Sequence, residues 1–448
     1  MDMFGSTIKE CGSRRLGSAR RAATLAVAAF SLAAATALAQ ACVGTPAGAV
    51  YWLGGERTYD DLAGYHNATL VGPGIGFTAG MVGDAIHFGG NLEDRFYTDT
   101  TYAEERTLRT AFTIELWARP TAASVGCPES NSGTCAEGEP WAVFPEHGAN
   151  SAPPGEENLA AGIGVAIATD GICVGEHTAN LFPCLARIDM PLTDWTHVAV
   201  VVEDKTPRIF VNGSLVHTGT TSDKDFVFAS WTVLGSVDIQ GYGPYAGDID
   251  ELTIYDRALD AGEIAALFAA GTGGKCKPEC VVERPDDLWQ GALVTAHSPL
   301  QSDSPDCMFG ATGCSPETDS LLFADGLPDG TVHSIEWQTA TPVTLGSIAL
   351  HAYHDAADNT QRAFRHVLIQ AREIGGTFAT VYDSDVALPY GQGPDGRELL
   401  RCPNVRPTHA QEFRAEFVQD GNTTFSGPRI EELDGIVYDL IFRDDFDD

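Results

Sequence analysis

The chain has 448 residues and sets 27 Lys and Arg against 62 Asp and Glu, a formal charge of −35. That balance excludes nucleic acid and anionic lipid as natural partners, because both are recognised through basic patches. The length suits two separate hydrophobic cores of about 100 to 200 residues each.

In chain order, Arg14, Arg15, Arg20 and Arg21 precede an Ala-rich apolar run from Ala22 to Leu38, and Ala37-Leu38-Ala39 has a small-x-small cleavage pattern. This reads as a signal peptide over residues 1–39, so the protein is expected to be secreted or placed at the cell surface. Losing a leader with five Lys or Arg and two acids takes the charge from −35 to −38. Beyond the leader no apolar run reaches the roughly 20 residues of a membrane span. Cys11 leaves with the leader, and the ten remaining cysteines are an even number in an oxidising compartment, where disulfides are the default. Local pairs are the simplest expectation: Cys127 with Cys135, Cys173 with Cys184, and Cys307 with Cys314. Cys42, Cys276, Cys280 and Cys402 are left to tie termini to domain edges, with connectivity open.

The next segments read as strands. Gly83-Asp84-Ala85-Ile86-His87-Phe88 and Phe112-Thr113-Ile114-Glu115-Leu116-Trp117 come first, Trp195-Thr196-His197-Val198 opens another strand, and Ile209 to Ser214 closes a hairpin on Asn212-Gly213. A last strand, Gly247-Asp248-Ile249-Asp250-Glu251-Leu252, runs into a short helix. Asp260 is its N-cap, Glu263 completes a capping box, Ile264, Leu267 and Phe268 form its apolar face, and Gly271 ends it. These segments in this order resemble the laminin G-like, concanavalin A-type domains over residues 48–272. Strand alternation puts Asp248 and Asp250 on one face and Glu251 on the other. That arrangement does not supply the facing acid pair a glycoside hydrolase needs. The resemblance implies a structural calcium near the domain start and the final strand, held by Asp60 or Asp61 with Asp250.

Residues 273–283 form a Gly-rich linker with two cysteines, and a second strand-rich block fills 284–438. Phe413, Ala415 and Phe417 share one face of a half-buried strand, with Arg414 and Glu416 on the other. Gly346 to His351, Phe364 to Arg372 and Phe378 to Tyr382 read similarly. Phe323-Ala324-Asp325-Gly326, the strand ending in Glu336-Trp337, and the closing Phe413 to Phe417 and Gly427 to Gly435 runs resemble the discoidin-like domains of galactose-binding jelly-roll fold. That resemblance implies a calcium held by Asp325, by Asp329 and Thr331 of the next loop, and by Glu432. Residues 439–448 form a short acidic tail with Ile441, Phe442 and Phe446.

The expected fold class is all-β, a concanavalin A-like sandwich plus a galactose-binding-like jelly roll. Loop aromatics beside Gly or Pro are the candidate sugar platforms: Trp141, Tyr242, Tyr245 and Tyr390. No Gly-x-Ser-x-Gly elbow is present. The expected function is non-catalytic binding of a glycan or an extracellular protein ligand, with structural calcium. Two alternatives stand beside it: a polysaccharide hydrolase or lyase with acids from separate loops, and a structural surface component.

Overall fold

The computed structural model describes residues 42–437 apart from 99, 110, 148–157, 279, 281–286, 302–304, 310–319, 355–360, 387, 389, 391–396 and 422–424. The leader, Cys314 and the acidic tail lie outside the described residues.

Two sheets pack face to face over residues 49–255. The first runs in the order Ser214–Thr218, Thr206–Val211, Thr196–Glu203, Ala111–Pro120, Ala246–Tyr255, Asp84–Gly89, Ile75–Ala79, with Ala49–Leu53 also paired to Ala246–Tyr255. The second runs Cys184–Asp189, Gly171–His177, Ala160–Ala168, Pro140–Val143, Val233–Leu234, Arg95–Thr98, Ala68–Val71. Strand periodicity builds the core: Phe112, Ile114, Leu116 and Ala118 point inward to meet Ile163, Val165 and Val174 of the facing sheet. Asn212 and Gly213 take φ of 48° and 76°, the left-handed pair a tight hairpin turn needs.

The helix forms at Ala261–Ala270 with the complete capping box of Asp260 and Glu263. Ile264 and Leu267 pack on Ala199, Val201, Phe210 and Tyr255. Phe268 departs from the expected apolar face, staying partly exposed beside Trp117 at a ring distance of 5.8 Å. The strand before it also departs from simple alternation. Its register shifts between Asp250 and Thr253, and Glu251 takes a φ of 55°. Ile249 and Leu252 both enter the core, so Asp250 and Glu251 together leave the core face at a bulge.

The bulge has a partner in the linker. Lys275 is buried, with its ammonium 2.9 Å from Glu115 and 3.2 Å from Glu251, while His197 bonds the other oxygen of Glu115 at 2.9 Å. Burial pushes Glu115 up and Lys275 down, but their mutual attraction wins: Glu115 is held below, and Lys275 above, its ordinary value. Cys276 is joined to Cys42 and Cys280 to Cys402, so the Gly-rich linker is stapled at both ends. Cys127–Cys135 and Cys173–Cys184 pair as expected.

The second core is enclosed by one antiparallel sheet in the order Leu321–Leu322, Arg429–Val437, Val332–Tyr353, Asn404–Gln419, Phe364–Arg372, Ala379–Asp385. The long strand Val332–Tyr353 pairs with four others, which lets the sheet fold over on itself. Trp337 stacks on Phe413 in its centre with Trp289 edge-on to Trp337, and Phe413, Ala415 and Phe417 are buried as their alternation requires. Arg414 of the opposite face pairs with Glu336.

A buried polar junction joins the two sandwiches. Tyr382 donates to Asp60 at 2.8 Å, and Arg401 donates to Tyr382 at 3.1 Å, to Ser384 at 3.0 Å and to the Asp385 carbonyl at 3.1 Å.

Candidate functional site

The outer face of the second sheet carries a compact aromatic cluster. Residues alternate along Gly171–His177, so Ile172 and Val174 enter the main core while Cys173, Gly175 and His177 face outward. Gly175 is required there: a Cβ would sit 2.4 Å from the Trp141 ring, which lies directly on the strand. Phe182 stacks on Trp141 at 5.1 Å and on His177 at 4.3 Å. Its loop is pinned by the bond from Phe182 N to the Gly133 carbonyl at 2.8 Å. Both local disulfides lie in this same cluster and stiffen its floor.

Tyr242 stands at the edge of this floor, partly exposed, 5.5 Å from Phe144 and 5.8 Å from Phe182. His147, also partly exposed, meets His177 edge to face at 4.9 Å. Asn180 and Leu181 border it, and Asn180 reaches Asn158 at 3.3 Å. Burial pushes the His177 imidazole down to about 4 and also lowers His147, so both rings are neutral at physiological pH. His177 donates from Nδ1 to the Pro145 carbonyl at 2.9 Å, since a carbonyl only accepts. The site therefore offers ring faces and neutral hydrogen-bonding groups. Among the described residues of the cluster, none is a Lys or Arg that could pair with an acidic ligand.

Of the four aromatics expected as platforms, the structure places only Tyr242 at a surface. Trp141, Tyr245 and Tyr390 are buried, which corrects their expected role. Tyr245 donates to the Asp248 carbonyl at 3.0 Å, and Tyr390 accepts from Phe364 N at 2.9 Å, so each serves as a core anchor with a satisfied hydroxyl. Phe144 and His147 come from one short segment and His177 and Phe182 from another. Their only sequence signal is aromatic content near Gly and Pro.

The residues implied as calcium ligands do not fit that ion. Asp61 accepts from the amides of Trp52, Ala63, Gly64 and His66. Asp60 belongs to the junction with Tyr382. Arg362 grips both oxygens of Asp325, at 2.5 and 3.1 Å, standing where a cation would have to enter. Asp329 is held by Arg365 and Gly421 N, and the Thr331 hydroxyl donates to Pro328. Glu432 is buried in its strand. Asp250 accepts from Val82 N at 2.8 Å. Among the described residues no three His, Cys, Asp or Glu are grouped to hold a metal. Melting curves in calcium and in chelator are therefore expected to coincide; a clear drop in Tm with chelator would contradict this reading of Asp325 and Asp250.

A buried acid supports the strand that ends beside the cluster. Glu105 Oε1 accepts from the amides of Trp231 and Thr232 at 2.6 and 2.7 Å. Burial, with nearby Glu146, pushes this carboxyl up to about 8 from its ordinary 4.5. The folded state thus binds the proton more tightly than the unfolded chain, so this contribution is full below about pH 4.5 and is lost as pH rises towards 8. Glu105→Gln is expected to flatten that decline and to be more stable than the parent at pH 8. Urea titrations at pH 5 and 8 check it, and an unchanged pH dependence would count against the assignment.

Residues 160–265 match the sequence model of the family described as the concanavalin A-like lectin/glucanases superfamily. The first sandwich is a laminin G-like, concanavalin A-type domain. The match takes in the strand that carries His177, the loop that carries Tyr242 and the first half of the capped helix. Among curated proteins none matches the chain. Among solved structures, the chain is similar to domain 4 of the extracellular arabinanase AbnA from Geobacillus stearothermophilus, at 17% identity over 48% of this chain and 96% of that one, with a TM-score of 0.33. It is similar to the binding domain of Paraclostridial Mosquitocidal Protein 1, at 10% identity over 79% and 97%, with a TM-score of 0.36. It is also similar to the family 32 carbohydrate-binding module of Streptococcus pneumoniae EndoD, at 14% identity over 34% and 99%, with a TM-score of 0.26.

Proposed function

We propose that this is an exported, non-catalytic glycan-binding protein whose laminin G-like domain holds uncharged sugar rings against Tyr242 and its neighbouring imidazoles. The observation that carries the reading is Tyr242 itself: a partly exposed ring fixed on a stacked floor of Phe144, Phe182 and His177. An apolar ring face suits the C–H face of a pyranose, and the neutral groups around it suit hydroxyls. The match of residues 160–265 to a family described by lectins and glucanases supports a carbohydrate ligand. The charge of −35 disfavours polyanionic glycans, and four disulfides among the described residues fit an oxidising, extracellular setting.

The hydrolase alternative has less support. Glu105 and Glu146, whose charges act on each other, are both buried and cannot flank a glycosidic bond. Screening the mature chain on immobilised neutral, uronate-bearing and sulfated glycans, with a reducing-end assay on every hit, tests the reading. Saturable binding confined to uncharged glycans without product is expected. Preference for sulfated chains, or release of product, would refute it.

A further inference from the structure

The outer face of the first sheet carries a second built arrangement, a row of four side chains, three on adjacent strands and Trp195 just before the start of a fourth. Asp248 lies opposite His87 on one neighbouring strand and opposite Arg119 on the other. Thr196 is opposite Ala118, which brings Trp195 beside Arg119. Ile86, Phe88, Ala118 and Ile249 enter the core, so their sequence neighbours His87, Arg119 and Asp248 must point outward.

The contacts are close. His87 Nδ1 is 2.7 Å from Asp248 Oδ1, and Arg119 Nε and Nη2 both lie 2.8 Å from Asp248 Oδ2. The guanidinium carbon sits 4.8 Å from the centre of the Trp195 ring. The central carboxylate is only 7% exposed, whereas the His87 and Arg119 side chains are 47% and 36% exposed. Asp248 thus acts as a buried clamp that fixes two exposed heads. A carboxylate only accepts, so His87 donates to it from Nδ1. Among the described residues no partner bonds His87 Nε2 or Arg119 Nη1. Gly76 lies opposite His87, and a Cβ there would meet nothing within 4 Å, which leaves that end of the row open.

We infer that this His87–Asp248–Arg119–Trp195 row is a second glycan-binding site, which takes a short uncharged oligosaccharide rather than a single sugar or an acidic one. It rests on the reading of the laminin G-like domain as a glycan binder, at a location separate from Tyr242. Charge selectivity follows from Arg119, whose fork is already spent on Asp248, so no bidentate grip remains for a ligand carboxylate or sulfate. The remaining Nη1 donor, the imidazole nitrogen and the indole ring suit hydroxyls and C–H faces instead. Length selectivity follows from the sheet. Four strands at a spacing of about 4.8 Å make a row of about 14 Å, longer than one sugar ring.

Calorimetric titration of the mature chain with uncharged β-glucan, xylan and arabinan fragments of one to six rings tests the proposal, on the parent and on His87→Ala, Trp195→Ala and Tyr242→Ala. His87→Ala alters an exposed side chain and Trp195→Ala a half-buried one at the sheet surface, and both are expected to keep a Tm within a few degrees of the parent. In one of these series, affinity is expected to rise over the first three or four rings and then level off. His87→Ala and Trp195→Ala are each expected to weaken the longer fragments about tenfold, with the length dependence retained in Tyr242→Ala. Binding abolished by Tyr242→Ala and untouched by the other two would overturn this inference while leaving the first site standing. Binding lost only in His87→Ala and Trp195→Ala would keep the row and remove the Tyr242 site. No binding in any series would overturn both.

Discussion

Lys275→Met is expected to lower the stability of the laminin G-like domain by about 3–5 kcal/mol, the range for removing one partner from a buried charge pair. The ammonium sits between Glu115 and Glu251, and among the described residues no other Lys or Arg pairs with Glu115. Methionine fills similar space, so the loss comes from the buried carboxylates left behind, Glu115 with only its His197 bond and Glu251 with only Lys277 at 3.2 Å, rather than from a cavity. Glu115→Gln in the same chain should recover part of it, because a glutamine can still accept from His197 without carrying charge. The pair also predicts acid sensitivity: Glu115 titrates below the ordinary carboxylate range, so this stabilisation is present above that range and is lost as pH falls through the lowered value. Urea denaturation of the single and double variants checks both statements. Equal stability of Lys275→Met and the parent would mean that the linker lysine is not buried against the bulge.

Arg401→Met is expected to cost a similar 3–5 kcal/mol and, more tellingly, to uncouple the two sandwiches. Arg401 is buried and binds Tyr382, Ser384 and the Asp385 backbone, and Tyr382 in turn donates to Asp60 of the laminin G-like domain. Asp60 would keep its hydroxyl partner but lose the nearby positive charge, 4.0 Å away. Calorimetry of the parent should show one cooperative transition, and the variant should split into two. The Cys280–Cys402 disulfide keeps the halves tethered, so the split reports loss of the junction rather than separation of the chain. A single transition in Arg401→Met would contradict the coupling role.

Local chemistry was readable before the structure. Asn212-Gly213 could only be a tight turn, Asp260 with Glu263 announced a capped helix, and the alternation of Phe413, Ala415 and Phe417 announced a half-buried strand. Each depends on neighbours within a few residues. The bulge at Glu251 was not readable, because its cause lies 24 residues downstream in Lys275. Alternation alone therefore sent Glu251 to the wrong face. Aromatic platforms failed for a related reason. Gly and Pro beside Trp141, Tyr245 and Tyr390 signal a turn, but whether the ring turns inward depends on what the facing strand leaves open, as Gly175 does for Trp141. Likewise Asp325 looks like a metal ligand until Arg362, 37 residues on, is seen closing on it.

The most direct test of the central claim compares the parent and Tyr242→Ala, titrated with the uncharged glycan that binds best and assayed for released reducing ends in the same samples. The account predicts saturable binding by the parent, a loss of at least about tenfold in Tyr242→Ala for a ligand confined to that site, matched melting curves, and no product. Equal affinity in the two proteins for every glycan bound, or product that accumulates with time, would contradict it.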